Sequence, residues 1–158
     1  MSERVPMTPR GYQLLEFELK RFKSEERPQN VKDIEEARAH GDISENAEFE
    51  AAKERQAQIE ARIVQIEDKL ARAQVIDTTG QSPDAVRFGA TVVLTDTESG
   101  EEVSYRIVGE DESDVAQGLI SIGSPVARAL LGKPPEAVVQ VSVPRGTREF
   151  EILEVRYE

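Results

Sequence analysis

The sequence contains no cysteine and no tryptophan, a single histidine and only 5% aromatic residues. Without cysteine the chain can form neither disulfides nor thiolate metal sites nor a cysteine nucleophile, and one histidine cannot build a histidine-rich metal site. Long apolar runs are also missing. No stretch reaches the roughly 18 apolar residues of a membrane span, and the first residues lack the apolar segment of a signal peptide. We therefore expect a soluble, cytoplasmic protein.

Positive charge is scarce as well. Among the 158 residues 31 are Asp or Glu and 20 are Lys or Arg, so the formal net charge is −11, and both halves of the chain are acidic. A protein that binds free nucleic acid needs a basic face that neutralises phosphates. If this protein acts on nucleic acid, we expect a partner to hold it there.

The first half of the sequence contains a long helical pattern. Thr8 is a good cap, and Pro9 fits the first helical position, where its missing N–H costs nothing. An apolar stripe at spacings of three and four follows: Tyr12, Leu15, Leu19 and Phe22. Pro28 removes a helical hydrogen bond, so we expect a kink or a restart over residues 24–28 before the helix continues to Gly41.

A second helix is predicted from about Glu45 to Val75. Its apolar positions alternate spacings of four and three, as in a coiled coil: Ala52, Gln56, Ile59, Ile63, Ile66, Leu70 and Ala73. About thirty residues at 1.5 Å each give a helix roughly 45 Å long. Because the connection at Gly41 is short, the two helices are expected to pack antiparallel as a hairpin. The small seam residues near that connection predict a slim end.

Residues 41–49 combine a helix stop, a helix start and several carboxylates. Asp42 and Glu45 are three residues apart after Gly41, and carboxylate oxygens are ligands that Mg²⁺ prefers. Two carboxylates cannot complete six-fold coordination, so waters, a phosphate or another protein would supply the rest. The alternative is that both acids only favour the start of a helix through capping and the helix dipole. The spacing fits both interpretations.

Four further residues lie in or near this segment. His40 is favoured near a helix C-terminus by the dipole. Lys53 and Arg55 could form a basic stripe, but the spacing favours a solvated face on which nearby acids pair with them: Glu50, Glu54 and Glu60. Phe49 is unusual at a polar end and is expected either to pack locally or to touch a partner.

The second half of the sequence changes to period-two patterns of β-branched residues. Turn-forming residues at 78–84 predict a boundary, with one domain over residues 1–79 and another over residues 80–158. Five strands are predicted, at 90–95, 102–108, 119–122, 137–143 and 149–155. Ser124 and Pro125 are expected to cap a short helix over 126–131. A helix packed on a sheet would make this a small α+β domain.

Five ordered segments resemble a single family over nearly the whole chain. They are residues 6–9, 36–54, 73–77, 107–112 and 120–130. In these segments the sequence resembles the bacterial Gre family of transcript cleavage factors, and residues 51–54 are nearer to its GreA branch than to its GreB branch. Phe49 stands where the family commonly has tyrosine, and Ile43 where it commonly has leucine. Neither change replaces Asp42 or Glu45.

The resemblance implies an α+β protein with an N-terminal antiparallel coiled-coil hairpin and a C-terminal FKBP-like domain that docks on RNA polymerase. The hairpin would enter the secondary channel of the polymerase. There Asp42 and Glu45 would help hold Mg²⁺ jointly with the polymerase, whose own active site cleaves backtracked RNA so that elongation resumes. The factor itself would be a monomer and not an enzyme.

The same resemblance assigns two further groups of residues. Lys53 and Arg55 fall in a basic patch that contacts RNA, and Ser124 and Pro125 fall in the stretch that docks on the polymerase. Three alternatives are kept beside this interpretation. They are a channel-plugging inhibitor of the same fold, a prolyl isomerase or chaperone, and an acidic coiled-coil dimeriser. The aromatic residues of the second half are few for an isomerase pocket: Phe88, Tyr105, Phe150 and Tyr157.

Overall fold

The computed structural model describes residues 3–40 and 43–157, without the side chains of residues 40 and 43–46. The chain divides into two compact units. The first consists mainly of residues 12–73, and the second combines residues 4–11 with the chain from residue 74 onward. The second unit therefore contains segments from both halves of the sequence. The predicted domains, a hairpin over residues 1–79 and a docking domain over residues 80–158, stay a prediction.

The first unit is a pair of helical arms. One arm runs through α1 (Pro9–Arg21), a π-helical segment (Phe22–Glu26) and α2 (Arg27–His40), and the other arm is α3 (Ile43–Ala71). Three side-chain contacts between the arms pair rising residue numbers on the first with falling numbers on the second. These contacts join Glu18 to Arg62, Arg27 to Glu60 and Asn30 to Ala52. The predicted antiparallel hairpin is confirmed.

An apolar seam lies between the two arms, at the spacing that the sequence predicted. The first arm buries Leu15, Phe22, Ile34 and Ala37, and α3 buries Ile59, Ile63 and Ile66. The large residues of α3 are grouped in its second half, whereas Ala52 and Gln56 nearer its start are half-buried. The seam therefore changes from large aliphatic side chains to small or polar ones as it approaches the connection.

The interruption predicted near Pro28 is a π-helical segment, and the chain remains helical through it. The N–H of Arg27 donates to the carbonyl of Phe22, five residues earlier. Because proline has no N–H, the carbonyl of Ser24 cannot receive the bond that an α-helix would give it. The wider turn accommodates this loss, as π-bulges inside α-helices do, and Phe22 stays buried.

The end of α3 differs from the prediction. The helix was expected to reach Val75 with Ala73 in the seam, but it ends at Ala71, and Ala73–Val75 forms a short strand, β2. This strand pairs with β1 (Val5–Met7), which the sequence did not predict. The N–H of Ile76 also donates to the carbonyl of Met7, at 2.9 Å. Backbone pairing with a distant segment thus overrides the helical pattern.

The second unit contains a five-stranded mixed sheet. Its strands are β3 (Thr91–Asp96), β4 (Glu102–Val108), β5 (Leu119–Ser121), β6 (Val138–Val143) and β7 (Gly146–Arg156). Their order across the sheet is β5-β4-β3-β7-β6, with β4 and β5 parallel and the other neighbours antiparallel. The five strands predicted from the sequence are all present, with ends shifted by a few residues.

One helix packs on this sheet, as predicted. The helix α4 (Pro125–Leu130) buries Ala127 and Leu130 in the core of the sheet. The core residues with no measurable exposure are Ala90, Val92, Leu94, Ile107, Ala127, Leu130 and Ile152. Val92 and Leu94 are two residues apart on β3, as the period-two pattern of a strand predicts, whereas Ala127 and Leu130 belong to α4. The predicted α+β class is confirmed.

The last hairpin has a tighter turn than predicted. The sequence suggested a four-residue turn over residues 144–147, but Val143 pairs directly with Gly146, which leaves Pro144 and Arg145 between the strands. Gly146 has a φ of 126°, a conformation that side-chain-bearing residues rarely adopt. Glycine here therefore begins a strand instead of ending a turn, and that use could not be read from the sequence.

Candidate functional site

The connection between the two helical arms is the candidate site. α2 ends at His40 and α3 begins at Ile43, so residues 41 and 42 join them. Asp42 lies outside the described residues. Glu45 lies in the first turn of α3, and its side chain is not described. The prediction that the two carboxylates converge on one metal ion therefore stays a prediction.

The side chains next to this connection are small or packed against the helices. Ala37 is buried on α2, and Ala52 on α3 is half-buried. Phe49, whose place at a polar end was unexplained, is half-buried, and the guanidinium of Arg38 lies 5.6 Å from the centre of its ring. A cation over an aromatic face is attractive. Phe49 therefore packs locally, while Glu48 next to it is exposed.

The two basic residues singled out on α3 have different surroundings. Lys53 is exposed, and its Nζ donates to Oε1 of Gln56 at 2.7 Å, a neutral acceptor. Arg55 reaches across to the first arm, where its Nη2 lies 3.4 Å from Oε2 of Glu26. An exposed ion pair of this kind contributes little stability. Lys53 thus keeps its charge available to a ligand more fully than Arg55 does.

Glu60, one of the acids predicted to pair with these cations, binds Arg27 instead. Nε and Nη2 of Arg27 donate to the two oxygens of Glu60, at 2.9 and 2.7 Å. These hydrogen bonds lower the pKa of Glu60 and raise the pKa of Arg27. Glu60 therefore connects α3 to the first arm of the hairpin. Arg55 pairs with Glu26 instead of Glu60.

Ser124 and Pro125 form the start of α4, as predicted. The hydroxyl oxygen of Ser124 accepts from the N–H of Ala127 at 3.2 Å, and Pro125 is the first helical residue. Ser124 is half-buried and Pro125 is exposed. The serine hydroxyl thus caps the helix, and the exposed proline ring is the part of the pair free to meet a partner. Docking by these residues stays a prediction.

Within the described residues, no group of three or more His, Cys, Asp or Glu side chains could hold a metal ion. Among the same residues, no helix is long and apolar enough to cross a membrane.

Comparison with known proteins identifies the family. The family profile described as "Transcription elongation factor, N-terminal" matches residues 5–75, and the profile described as "Transcription elongation factor, GreA/GreB, C-term" matches residues 81–157. The chain belongs to the GreA/GreB family. This family member is an accessory transcription elongation factor.

Full-length relatives agree with the assignment. Transcription elongation factor GreA of Trichlorobacter lovleyi is 56% identical over 158 residues, covering 100% of both chains. The GreA of Caulobacter vibrioides is 55% identical over 155 residues, covering 98% of this chain and 99% of the relative. A solved structure of the transcription factor Gfh1 is 34% identical, covers 99% of both chains and superposes with a TM-score of 0.47, which is too low to bear on the fold. The predicted resemblance to the GreA branch is confirmed, and nothing in these comparisons favours the alternatives.

One carboxylate of this GreA/GreB family member, Glu112, makes contacts that the sequence did not predict. Oε2 of Glu112 accepts from the backbone N–H of Thr8 at 3.0 Å and from the N–H of Gly109 at 3.2 Å, and its Oε1 accepts from the hydroxyl of Thr8. The hydroxyl oxygen of Thr8 in turn accepts from the N–H of Gly11, at 3.0 Å, and so caps α1. The cap was predicted from Thr8 and Pro9, but its carboxylate partner is 104 residues away and left no local signal.

Proposed function

We propose that this factor binds bacterial RNA polymerase, enters the enzyme's secondary channel with its helical hairpin and stimulates the polymerase's own cleavage of backtracked RNA. One observation carries the proposal: residues 41 and 42 alone join α2 to α3, so the sequence places Asp42 and Glu45 at the end of the hairpin. A factor that works on this polymerase acts in the cytoplasm.

The shape of the hairpin supports delivery into a narrow channel. Ala37 and Ala52 occupy the seam near the connection, and small seam residues let helices approach closely. Phe49 packs under Arg38 instead of projecting freely. The α3 helix has 29 residues and so extends for roughly 43 Å at 1.5 Å per residue. A long arm with a slim end can reach an active site buried inside a larger enzyme.

The donor set at the end of the hairpin fits a shared Mg²⁺ site and does not fit a complete one. Asp42 and Glu45 would provide hard oxygen ligands, and polymerase carboxylates, RNA phosphate and water would provide the others. When bound, Mg²⁺ stabilises negative charge on the attacking and leaving oxygens of a phosphodiester. The role of Asp42 and Glu45 is to hold ligand oxygens at a defined point, and the catalytic machinery belongs to the polymerase.

Other residues would act in binding. Lys53 is exposed, and its partner among the described residues is the neutral Gln56, so its ammonium group can contact a phosphate of extruded RNA. Arg55 would have to give up its weak pairing with Glu26 to do the same. Pro125 at the start of α4 would contribute to the docking surface on the polymerase.

The test is a backtracked transcription complex of purified bacterial RNA polymerase. Wild-type factor is expected to accelerate RNA cleavage in the presence of Mg²⁺. The double substitution Asp42→Ala with Glu45→Ala is expected to reduce cleavage to the rate of the polymerase alone. Glu50→Ala removes an exposed carboxylate further along α3 and serves as the matched control, expected to behave as wild type. Full activity of the double variant would refute the proposed role of the two acids.

A further inference from the structure

A buried polar side chain lies in the seam between α2 and α3. Asn30 is 4% exposed, and within the described part of the first unit it is the only polar residue buried to that degree. Its Nδ2 donates to the backbone carbonyl of Ala52 on the opposite arm, at 3.0 Å. A buried amide in an apolar seam is costly unless it is hydrogen-bonded. The hydrogen bond between Asn30 and Ala52 therefore favours the alignment of the two helices in which it forms.

The position of this contact along the hairpin gives it a role. Toward the base of the hairpin the seam is specified by large side chains, including Phe22, Ile59 and Ile63. Toward the connection, Ile34 is the last large side chain that the first arm buries in the seam, and Ala37 and Ala52 follow. Small side chains offer few interlocking contacts that would resist sliding or rotation of one helix on the other. Asn30 lies one helical turn before Ile34, near the point where large apolar side chains give way to small ones.

We propose that Asn30 is a positioning residue, which sets the alignment of α2 against α3 and thereby the alignment of the two helix ends that the proposed site joins. In the sequence, residues 41 and 42 follow the end of α2, whereas Glu45 belongs to the first turn of α3. A displacement of one helix past the other therefore changes how the end of α2 lies against the first turn of α3. A polar residue at a single seam position is a well-established means of fixing helix register. This inference rests on the proposed function for its catalytic consequence but not for its structural part.

The magnitude of the effect can be estimated from helix geometry. A slip by one residue moves one helix by about 1.5 Å relative to the other. Displacements of about 1 Å in catalytic groups can cost up to about 100-fold in rate. If Asn30 is replaced by an apolar residue, the displacements that the two-residue connection permits no longer cost a buried hydrogen bond. The hairpin of the variant should be at least as stable as that of wild type, and the alignment of its two helices should be less well defined.

The experiment compares Asn30→Leu with Gln29→Leu, which makes the same kind of change at the exposed neighbouring position. The chain has no cysteine, so Glu36→Cys and Glu50→Cys place two nitroxide labels on exposed sites of α2 and α3. Electron paramagnetic resonance then gives the distribution of distances between the helices. In unlabelled protein, RNA cleavage is measured as a function of factor concentration, together with the thermal unfolding midpoint.

For Asn30→Leu we expect an unfolding midpoint equal to or above that of wild type and a broader or shifted distance distribution. The maximal cleavage rate should fall by about tenfold, while the half-saturating concentration changes by less than about twofold because the residues proposed to dock on the polymerase are untouched. Gln29→Leu should match wild type in all measurements. A merely structural residue would lower the unfolding midpoint without this separation of rate and affinity.

Two outcomes overturn the inference. An unchanged distance distribution shows that Asn30 does not set the alignment, whatever happens to the rate. A changed distribution with a wild-type maximal rate shows that the alignment does not matter for cleavage. If wild-type protein itself fails to stimulate cleavage, the proposed function fails, and the distance distribution still decides whether Asn30 sets the alignment.

Discussion

At the scale of single residues, Glu112 illustrates how much one carboxylate can organise. It accepts hydrogen bonds from the N–H and the hydroxyl of Thr8 and from the N–H of Gly109, so it ties the segment before α1 to the turn after β4. Space for it exists because Gly11 has no side chain: a Cβ built there would overlap the carboxyl carbon of Glu112. Glycine at position 11 thus leaves room inside α1 for this carboxylate.

The substitution Gly11→Ala should therefore destabilise the protein, although alanine is the better helix former by about 1 kcal/mol. The carboxylate of Glu112 cannot withdraw without losing its three donors, so we expect a net loss of roughly 1–3 kcal/mol in the free energy of unfolding. Urea-induced unfolding followed by circular dichroism measures it. Gly123→Ala is the control, because the nearest atom to its new Cβ is the Ser121 hydroxyl at 3.8 Å. Equal or greater stability of Gly11→Ala would contradict the steric argument.

At the scale of elements, the turn between β3 and β4 is held by a charged group. Nε and Nη2 of Arg148 donate to Oδ2 of Asp96 at 3.1 and 2.7 Å, and the N–H groups of Glu98 and Ser99 donate to Oδ1 at 2.9 and 3.1 Å. The two hydrogen bonds from Arg148, with those from the N–H groups of Ser99 and Glu98, lower the pKa of Asp96 in the folded protein. Only the ionised form makes all four contacts.

A lowered pKa in the folded state makes the stabilisation by Asp96 depend on pH. The contribution is complete above the ordinary aspartate pKa of about 3.9 and is lost as the pH falls through the lower folded value. Asp96→Asn should therefore be less stable than wild type at neutral pH and lose less stability between about pH 5 and pH 2. Thermal unfolding midpoints over that range measure the difference. Glu98→Gln, an exposed carboxylate in the same turn, should follow wild type. Parallel curves for Asp96→Asn and wild type would exclude the predicted role.

The elements differ in how well the sequence predicted them. The helical hairpin and the strands were predictable because their apolar residues repeat at 3.6 and at 2, and each pattern needs only local sequence. β1 and β2 were missed because their pairing partner is distant and both are three residues long. At the site, Asp42 and Glu45 were located through a turn signal and a resemblance. Asn30, Glu112 and the clamp between Arg27 and Glu60 depend on contacts between segments far apart, which no local pattern records.

At the scale of the whole molecule, the proposed mechanism separates binding from the support of cleavage. In that mechanism the carboxylates at residues 42 and 45 support cleavage, and the remaining surface recognises the polymerase. The chain carries a formal charge of −11, which makes contact with free nucleic acid unfavourable, so the proposal assigns recognition to contacts with the polymerase. Loss of the two carboxylates should therefore leave a factor that still occupies its place on the polymerase.

The double substitution Asp42→Ala with Glu45→Ala should accordingly compete with wild-type protein. At about tenfold excess, mass action should bring the cleavage rate of a backtracked complex close to that of the polymerase alone. The rate of RNA shortening in mixtures of the two proteins measures the competition. The same excess of Glu50→Ala should cause no inhibition. An uninhibited reaction in the presence of the double variant would mean that the two acids are themselves needed for binding.

The π-helical segment at Phe22–Glu26 changes the direction in which the later side chains of the first arm point. Each residue of an α-helix advances the side-chain direction by about 100°, and a π turn accommodates one extra residue without moving the chain out of the helix. The two parts of the first arm can therefore keep separate apolar stripes, with Leu15 before the segment and Ile34 after it both buried. A change of one residue in chain length there would rotate every later side chain of the arm. The direction in which the side chains of α2 point thus depends on the π turn that precedes it.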